Sequence, residues 1–221
     1  MAMAKQQVGQ DAEGAEQGRS AQKRRAILDA ATEVFLKSGY LGTNMDEIAT
    51  LSGVSKQTVY KHFSSKEALF VEIVSSMTNT AGDLVHNDAP MLKDDAELAE
   101  YLRDYAHRQL MVVLTPRIMQ LRRLVIGEVS RFPELARVLY ERGPLRAMKM
   151  LAGIFEQLAA RGLLRTGDQM LAASHFNWLV MSDALNLAML LGDDAIPKPA
   201  ELKRQAEEGV RVFLAAYGTG T

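Results

Sequence analysis

The run Lys56-Gln57-Thr58-Val59-Tyr60-Lys61-His62 packs hydrogen-bond donors and positive charge into seven residues, with Val59 as its one clear core residue. Lysine ammonium groups neutralise phosphates, while amide and hydroxyl side chains reach base edges. On that chemistry Lys56, Lys61 and Lys66 hold phosphates, and Gln57 and Thr58 read bases. Tyr60 donates to a phosphate or stacks on sugar and thymine methyl. From Arg19 to Lys66, eight lysines and arginines oppose four acids, a local +4 in a chain whose net charge is -1. The molecule as a whole is therefore no general polyanion binder, and its positive charge is placed at one face.

Such a face needs a short exposed helix held by others. Periodicity near 3.6 runs through almost all of the 221 residues, and no stretch alternates as a strand does, so the fold class is all-α. Residues 1–18 are polar, acidic and without an apolar core; they are neither a signal peptide nor a packed element, and composition marks them as a disordered tail. A first helix over Ser20 to Lys37 aligns Ile27, Leu28, Ala31, Val34 and Phe35 on one stripe, and Gly39 suits its C-cap. Asn44-Met45-Asp46-Glu47 has a capping-box pattern and opens a second helix that turns Met45, Ile48 and Ala49 inward. Gly53 suits the tight turn that follows, and Ser55 caps the short helix Lys56 to His62. Ser64-Ser65-Lys66-Glu67 opens a fourth helix through Leu69, Phe70, Ile73, Val74 and Met77. Three short helices with a glycine turn between the second and third make a helix-turn-helix, the unit that lays a helix in the major groove.

The order Ile27-Leu28-Asp29-Ala30-Ala31, Phe35, Gly39-Tyr40, Thr43, Ile48-Ala49, Gly53-Val54-Ser55, Thr58-Val59-Tyr60, His62-Phe63, Lys66-Glu67-Ala68-Leu69 resembles the DNA-binding domain of the TetR (tetracycline-repressor-like) regulators. The resemblance covers about a quarter of the chain with its spacing unbroken. It implies a helix-turn-helix over Asn44 to Phe63. It also implies phosphate contacts at Thr43, Tyr60, His62 and Lys66, operator-dependent contacts at Lys56, Gln57, Thr58 and Lys61, and two-fold dimers on inverted repeats. Thr43, Asn44, Lys56, Gln57, Thr58, Tyr60, Lys61, His62 and Lys66 form the expected DNA-binding set. Phe63 reads as core. The run Arg19 to Arg25 resembles the basic minor-groove arms of some members, although a solvated helix start is the commoner use of such a run.

Beyond about Val85 the texture changes to a loop at Asn87-Asp88-Ala89-Pro90 and then longer helices near 95–114, 117–130, 134–161, 168–191 and 200–217, with Gly143-Pro144 breaking or kinking the third. We expect a tail over 1–18, a helix-turn-helix domain over 19–66, and a ligand-binding and dimerisation bundle over 67–221, with the fourth helix shared. The stretch Glu128 to Gly143 is similar to the C-terminal domain of the AefR-like subgroup. The helix over 168–191 is apolar on nearly every side and must be covered on most faces. With the Leu202, Ala206, Gly209, Phe213, Tyr217 seam of the last helix, it is the expected homodimer contact.

A pocket for a small, mostly apolar effector is expected inside this bundle. His175, Asn177, Trp178, Met181, Asp183 and Asn186 bring polar and large side chains onto one helix, Met111, Met119, Met148 and Met150 suit an opposite wall, and Arg122-Arg123 could pair an anion. From these, Met119, Arg123, Asn177, Trp178 and Met181 are the expected ligand-binding residues. A salt-bridged arginine and a core methionine are the commoner uses of those types.

The chain has no cysteine, and no apolar run approaches the roughly 18 residues of a membrane span. The four histidines are scattered, and no phosphate loop, serine elbow or HExxH occurs, so neither an enzyme nor a metal or other cofactor is expected. The reading is a cytoplasmic, ligand-responsive regulator binding double-stranded operator DNA, a repressor rather than an activator, and without a membrane partner. Two other classes remain: an all-α carrier of a lipophilic molecule, and a module that uses its basic helices against an acidic protein.

Overall fold

A computed structural model describes residues 2–85, 92 and 94–220, with side chains from residue 17 onward within those limits. The expected loop at 87–90 lies outside the described residues. Among the described residues ten α-helices run in the order α1 (Ala2–Gly42), α2 (Met45–Ser52), α3 (Lys56–His62), α4 (Lys66–Val85), α5 (Asp95–Val113), α6 (Pro116–Gly127), α7 (Pro133–Tyr140), α8 (Arg146–Ala160), α9 (Gln169–Leu191) and α10 (Pro199–Tyr217). A π-helical segment, Glu141–Leu145, joins α7 to α8, and a 3-10 turn, Asp193–Ala195, precedes α10. Among the described residues there is no strand, only an isolated bridge between Leu164 and Gly218. The chain divides into two units, Met1–Ile73 and Val74–Thr221, and α4 runs through the division.

In the first unit the helices form where their caps place them. Asn44 accepts the amide of Asp46 at the start of α2, and Met45, Ile48 and Ala49 are its buried face. Gly53 ends α2 at φ 68°, ψ 22°, a left-handed conformation that costs glycine nothing. Ser55 accepts the amide of Thr58 and starts α3, which has Val59 as its buried residue. Gly39, at φ 71°, breaks α1 before its last turn, as expected of a C-cap glycine. That break lets Tyr40 turn back onto Phe35 and Phe70, with ring centroids 5.8 and 5.2 Å away. All three rings are buried, and each such pair adds about 1 kcal/mol beyond simple area burial.

One expectation for α1 changes. Backbone from Ala2 onward is helical, where composition suggests a disordered tail. Ala, Gln, Glu and Lys dominate that stretch, and their high helix propensity lets it extend α1 without an apolar stripe. The basic run Arg19–Arg25 lies inside this helix, the commoner use of such a run. Lys23 and Arg25 are exposed, while Arg24 pairs with Glu72 at 2.8 Å and lies 5.1 Å over the Phe63 ring. Phe63 itself is buried, as expected.

The second unit is built around a cluster of aromatic rings. Phe155, Phe176 and Phe213, from α8, α9 and α10, meet with centroids 5.1–5.8 Å apart, and Tyr105 of α5 closes the set against Phe176 at 5.9 Å. The α10 seam Leu202, Ala206, Gly209, Phe213 faces this core and is buried within the chain. It is therefore not the exposed stripe the sequence suggests. The expected break at Gly143-Pro144 takes the form of the π segment, whose wide turn accommodates a proline that an α-helix interior would not.

Candidate nucleic-acid interface and effector cavity

Burial of Val59 in α3 turns the rest of that helix to solvent. Lys56, Gln57, Tyr60 and Lys61 are exposed, and Thr58 and His62 are partly so. The Thr58 hydroxyl shares a 2.8 Å hydrogen bond with that of Ser55, which fixes the first turn. Lys56 reaches back to Asp46 of α2 at 2.9 Å, and this hydrogen-bonded carboxylate raises its pKa. An ion pair so exposed is weakly held, and Lys56 can exchange Asp46 for another anion at little cost.

Two residues expected to grip phosphate are turned inward instead. Thr43 is buried, and its hydroxyl donates to the Gly39 carbonyl at 2.7 Å. A phosphate offers only acceptors, so the Thr43 side chain has no donor left for one. Lys66 donates to the carbonyls of Leu41 (3.2 Å) and Thr43 (2.9 Å) and lies 4.9 Å over the Tyr40 ring. It ties the start of α4 to the chain entering α2. Glu67 next to it sits below the usual carboxylate range, held there by its own backbone amide and by the hydroxyls of Ser65 and Tyr40. Asn44 is exposed, with its side-chain oxygen accepting the Asp46 amide at 2.9 Å.

A cavity of about 80 Å³ lies within the second unit. Its wall draws on the C-terminal half of α4 (Thr78, Ala81, Gly82, Val85), on α5, α6, α7 and α9, and on Gly143 and Pro144 of the π segment. Asn177, Trp178 and Met181 line it, as the sequence suggests. The other two expected ligand residues do not. Met119 is fully buried in the core, and Arg123 is committed to Asp193, by an ion pair, and to the Ala188 carbonyl at 2.7 Å. Arg122, its neighbour, lines the cavity instead. Successive residues on a helix point about 100° apart, and here that turn takes Arg123 off the cavity wall toward Asp193. Met111 and Met150 are exposed, Met148 packs in the core, His175 bonds the Tyr217 hydroxyl at 2.7 Å, and Asp183 and Asn186 are exposed.

Gln109 was not singled out by sequence. Deep in the cavity wall, it donates to Asn177 Oδ1 at 2.9 Å, and its own Oε1 is buried without a partner. Arg146 was also missed: it bonds Asn79 (3.0 Å) and Asp83 (3.1 Å), both on α4. The stripe Ile118, Leu121, Arg122, Val125 at helical spacing was the available sign that Arg122 faces inward.

Residues 27–73 match the model for bacterial regulatory proteins of the tetR family, and residues 100–219 match the AefR-like transcriptional repressor C-terminal domain. Among solved structures, a TetR-family transcriptional regulator of Mesorhizobium loti MAFF303099 is 40% identical, over 91% of this chain and 99% of that one, at a TM-score of 0.83. The flavonoid-responsive regulator FrrA is 34% identical, over 91% of this chain and 100% of its own, at a TM-score of 0.73. The HTH-type transcriptional regulator YvkB of Bacillus subtilis strain 168 is 24% identical over 86% of this chain and 94% of its own. With several other curated HTH-type regulators the match is confined to 49–58 residues, 22–26% of this chain and 24–30% of theirs.

Proposed function

Because the chain belongs to the TetR family and is a helix-turn-helix transcriptional regulator, we propose that it is a cytoplasmic homodimeric repressor, released from a palindromic operator when a small effector fills the second-unit cavity. The observation that carries the DNA reading is α3 itself. Its single buried residue and two fixed caps present Lys56, Gln57, Thr58, Tyr60 and Lys61 together on a rigid outward face. Lys56, Lys61 and His62 take phosphates, Tyr60 takes a phosphate or sugar, and Gln57 and Thr58 read base edges in the major groove. Asn44 adds a donor at the N-terminus of α2. Thr43 and Lys66 act by holding the entry to α2 in place, and Lys66 keeps one ammonium proton for a phosphate.

The effector reading rests on the lining of the cavity, apolar with a few fixed polar groups. At about 80 Å³ it is below the roughly 300 Å³ of ordinary ligand sites, so a ligand must part the walls. Ala81 and Gly82 of α4, with Gly143 and Pro144, form one small-residue part of those walls. α4 begins at Lys66, where its anchor to Leu41 and Thr43 lies, so a shift of α4 is felt at the chain entering α2. A differential affinity of a few kcal/mol between the two arrangements is enough to release DNA.

The test is a mobility-shift titration with DNA from upstream of the protein's own gene, at about 0.15 M salt with excess unrelated competitor. A discrete shift is expected. Tyr60→Ala and Lys61→Ala should each weaken it by about tenfold or more while size-exclusion behaviour is unchanged. Unchanged affinity in both variants would sink the docking model.

A further inference from the structure

Four arginines of the second unit have partners within it. Arg123 holds Asp193, Arg146 holds Asn79 and Asp83, Arg108 donates to the Val85 carbonyl at 3.1 Å, and Arg165 donates to the Gly218 carbonyl at 3.0 Å. Arg122 lines the cavity and has neither an ion pair nor a hydrogen bond among the described residues. Arg122 is half-buried, and a guanidinium keeps its proton, so its charge stands at a largely apolar wall with no protein partner. Desolvation alone accounts for the downward push on its pKa, and no carboxylate opposes that push. In the same wall the Gln109 amide is half satisfied, with one end on Asn177 and the other buried and unpartnered. The remaining surface is apolar: Val113, Ile118, Leu121, Leu139, Trp178 and Met181.

We infer that this cavity takes a hydroxylated organic monoanion with an apolar body, its acid group on Arg122 and a hydroxyl at Gln109, an assignment that rests on the reading of the cavity as the effector site. The acid supplies the missing counter-charge, and the guanidinium fork donates two parallel hydrogen bonds to a carboxylate. A hydroxyl both donates and accepts, so it satisfies the free end of Gln109 whichever way the amide lies. The apolar walls then discriminate by size and shape, while the paired polar groups set orientation. Neutral compounds of the same shape leave Arg122 without a counter-charge.

Calorimetric titration of the full chain with 6-hydroxy-2-naphthoate and with its methyl ester tests this. The acid is expected to bind about tenfold or more tightly than the ester, the effect of one charge-assisted pair. Arg122→Met should abolish that preference by weakening the acid alone, and Arg122→Lys should keep part of it. Arg122→Met should also melt no lower than wild type, because the lost charge had no partner. Should that variant misfold, Arg122→Gln serves in its place. Equal binding of acid and ester, with both releasing DNA, would overturn the anion assignment and leave the effector reading standing. Binding of neither would overturn both.

Discussion

Asp193 and Arg123 make a small ledger that acid can open. Burial would raise the Asp193 pKa, but hydrogen bonds from Arg123 and Gln120 and the charge of Arg123 hold it below the usual carboxylate range. A carboxyl depressed in the folded state adds stability above its unfolded pKa of roughly 4, and that share is lost as pH falls through the folded value. The pair links α6 to the turn before α10 and is about 30% exposed on each side, so solvent screens it. Asp193→Asn should cost about 1 kcal/mol at pH 7, and the gap from wild type should close below about pH 4. Urea melts of both proteins across that range check the sign; a gap independent of pH would mean that shape, not charge, holds the turn. The same pair explains why sequence selects the wrong arginine for the cavity. Type and position in the chain are equal for Arg122 and Arg123, and only the burial phase of α6 separates them.

Elements fixed by near neighbours were legible. Caps at Asn44 and Ser55, the turn at Gly53 and the break at Gly39 all act within four residues, and each stands in the structure where the pattern puts it. Gly53 makes the strongest element-scale prediction. An added methyl meets nothing within 4 Å, so the only cost of Gly53→Ala is the left-handed backbone, about 1–2 kcal/mol. A lower melting temperature with DNA affinity recovered on cooling is the expected pattern; no loss of stability would mean that the turn relaxes freely. What sequence could not give is assembled from afar. The cavity draws on α4 to α7, α9 and the π segment, and Gln109 meets Asn177 across 68 residues. Periodicity tells that a helix has an inner face, but not whether that face meets close packing or a gap. This is why the methionines named as a wall turn out to be core or surface.

For the molecule as a whole, the unmet surface of α9 is the largest remaining fact. Leu171, Trp178, Leu179, Leu187, Leu190 and Leu191 are each 40–79% exposed or close to it, on a helix otherwise packed in the core. Leu179 and Leu187, with Val212 of α10, share a shallow groove with Asp183, Arg204, Glu208 and Gln205, an apolar strip rimmed by charges of both signs. A self-complementary surface needs that mixture, since under two-fold symmetry each acid must find a base on the mate. The α10 seam is buried within the chain, so the homodimer proposed above would meet on this outer strip rather than on Leu202, Ala206 and Phe213. Leu187→Asp puts a charge on the apolar strip without touching the core. It should shift the protein from dimer to monomer in light scattering at micromolar concentration, with far-UV circular dichroism unchanged. Operator affinity should fall with it by about a hundredfold or more, because a monomer engages one half-site and loses the effective concentration that tethering provides. A variant that stays dimeric would move the interface elsewhere. A monomer that binds the operator at full strength would instead remove the need for two-fold recognition.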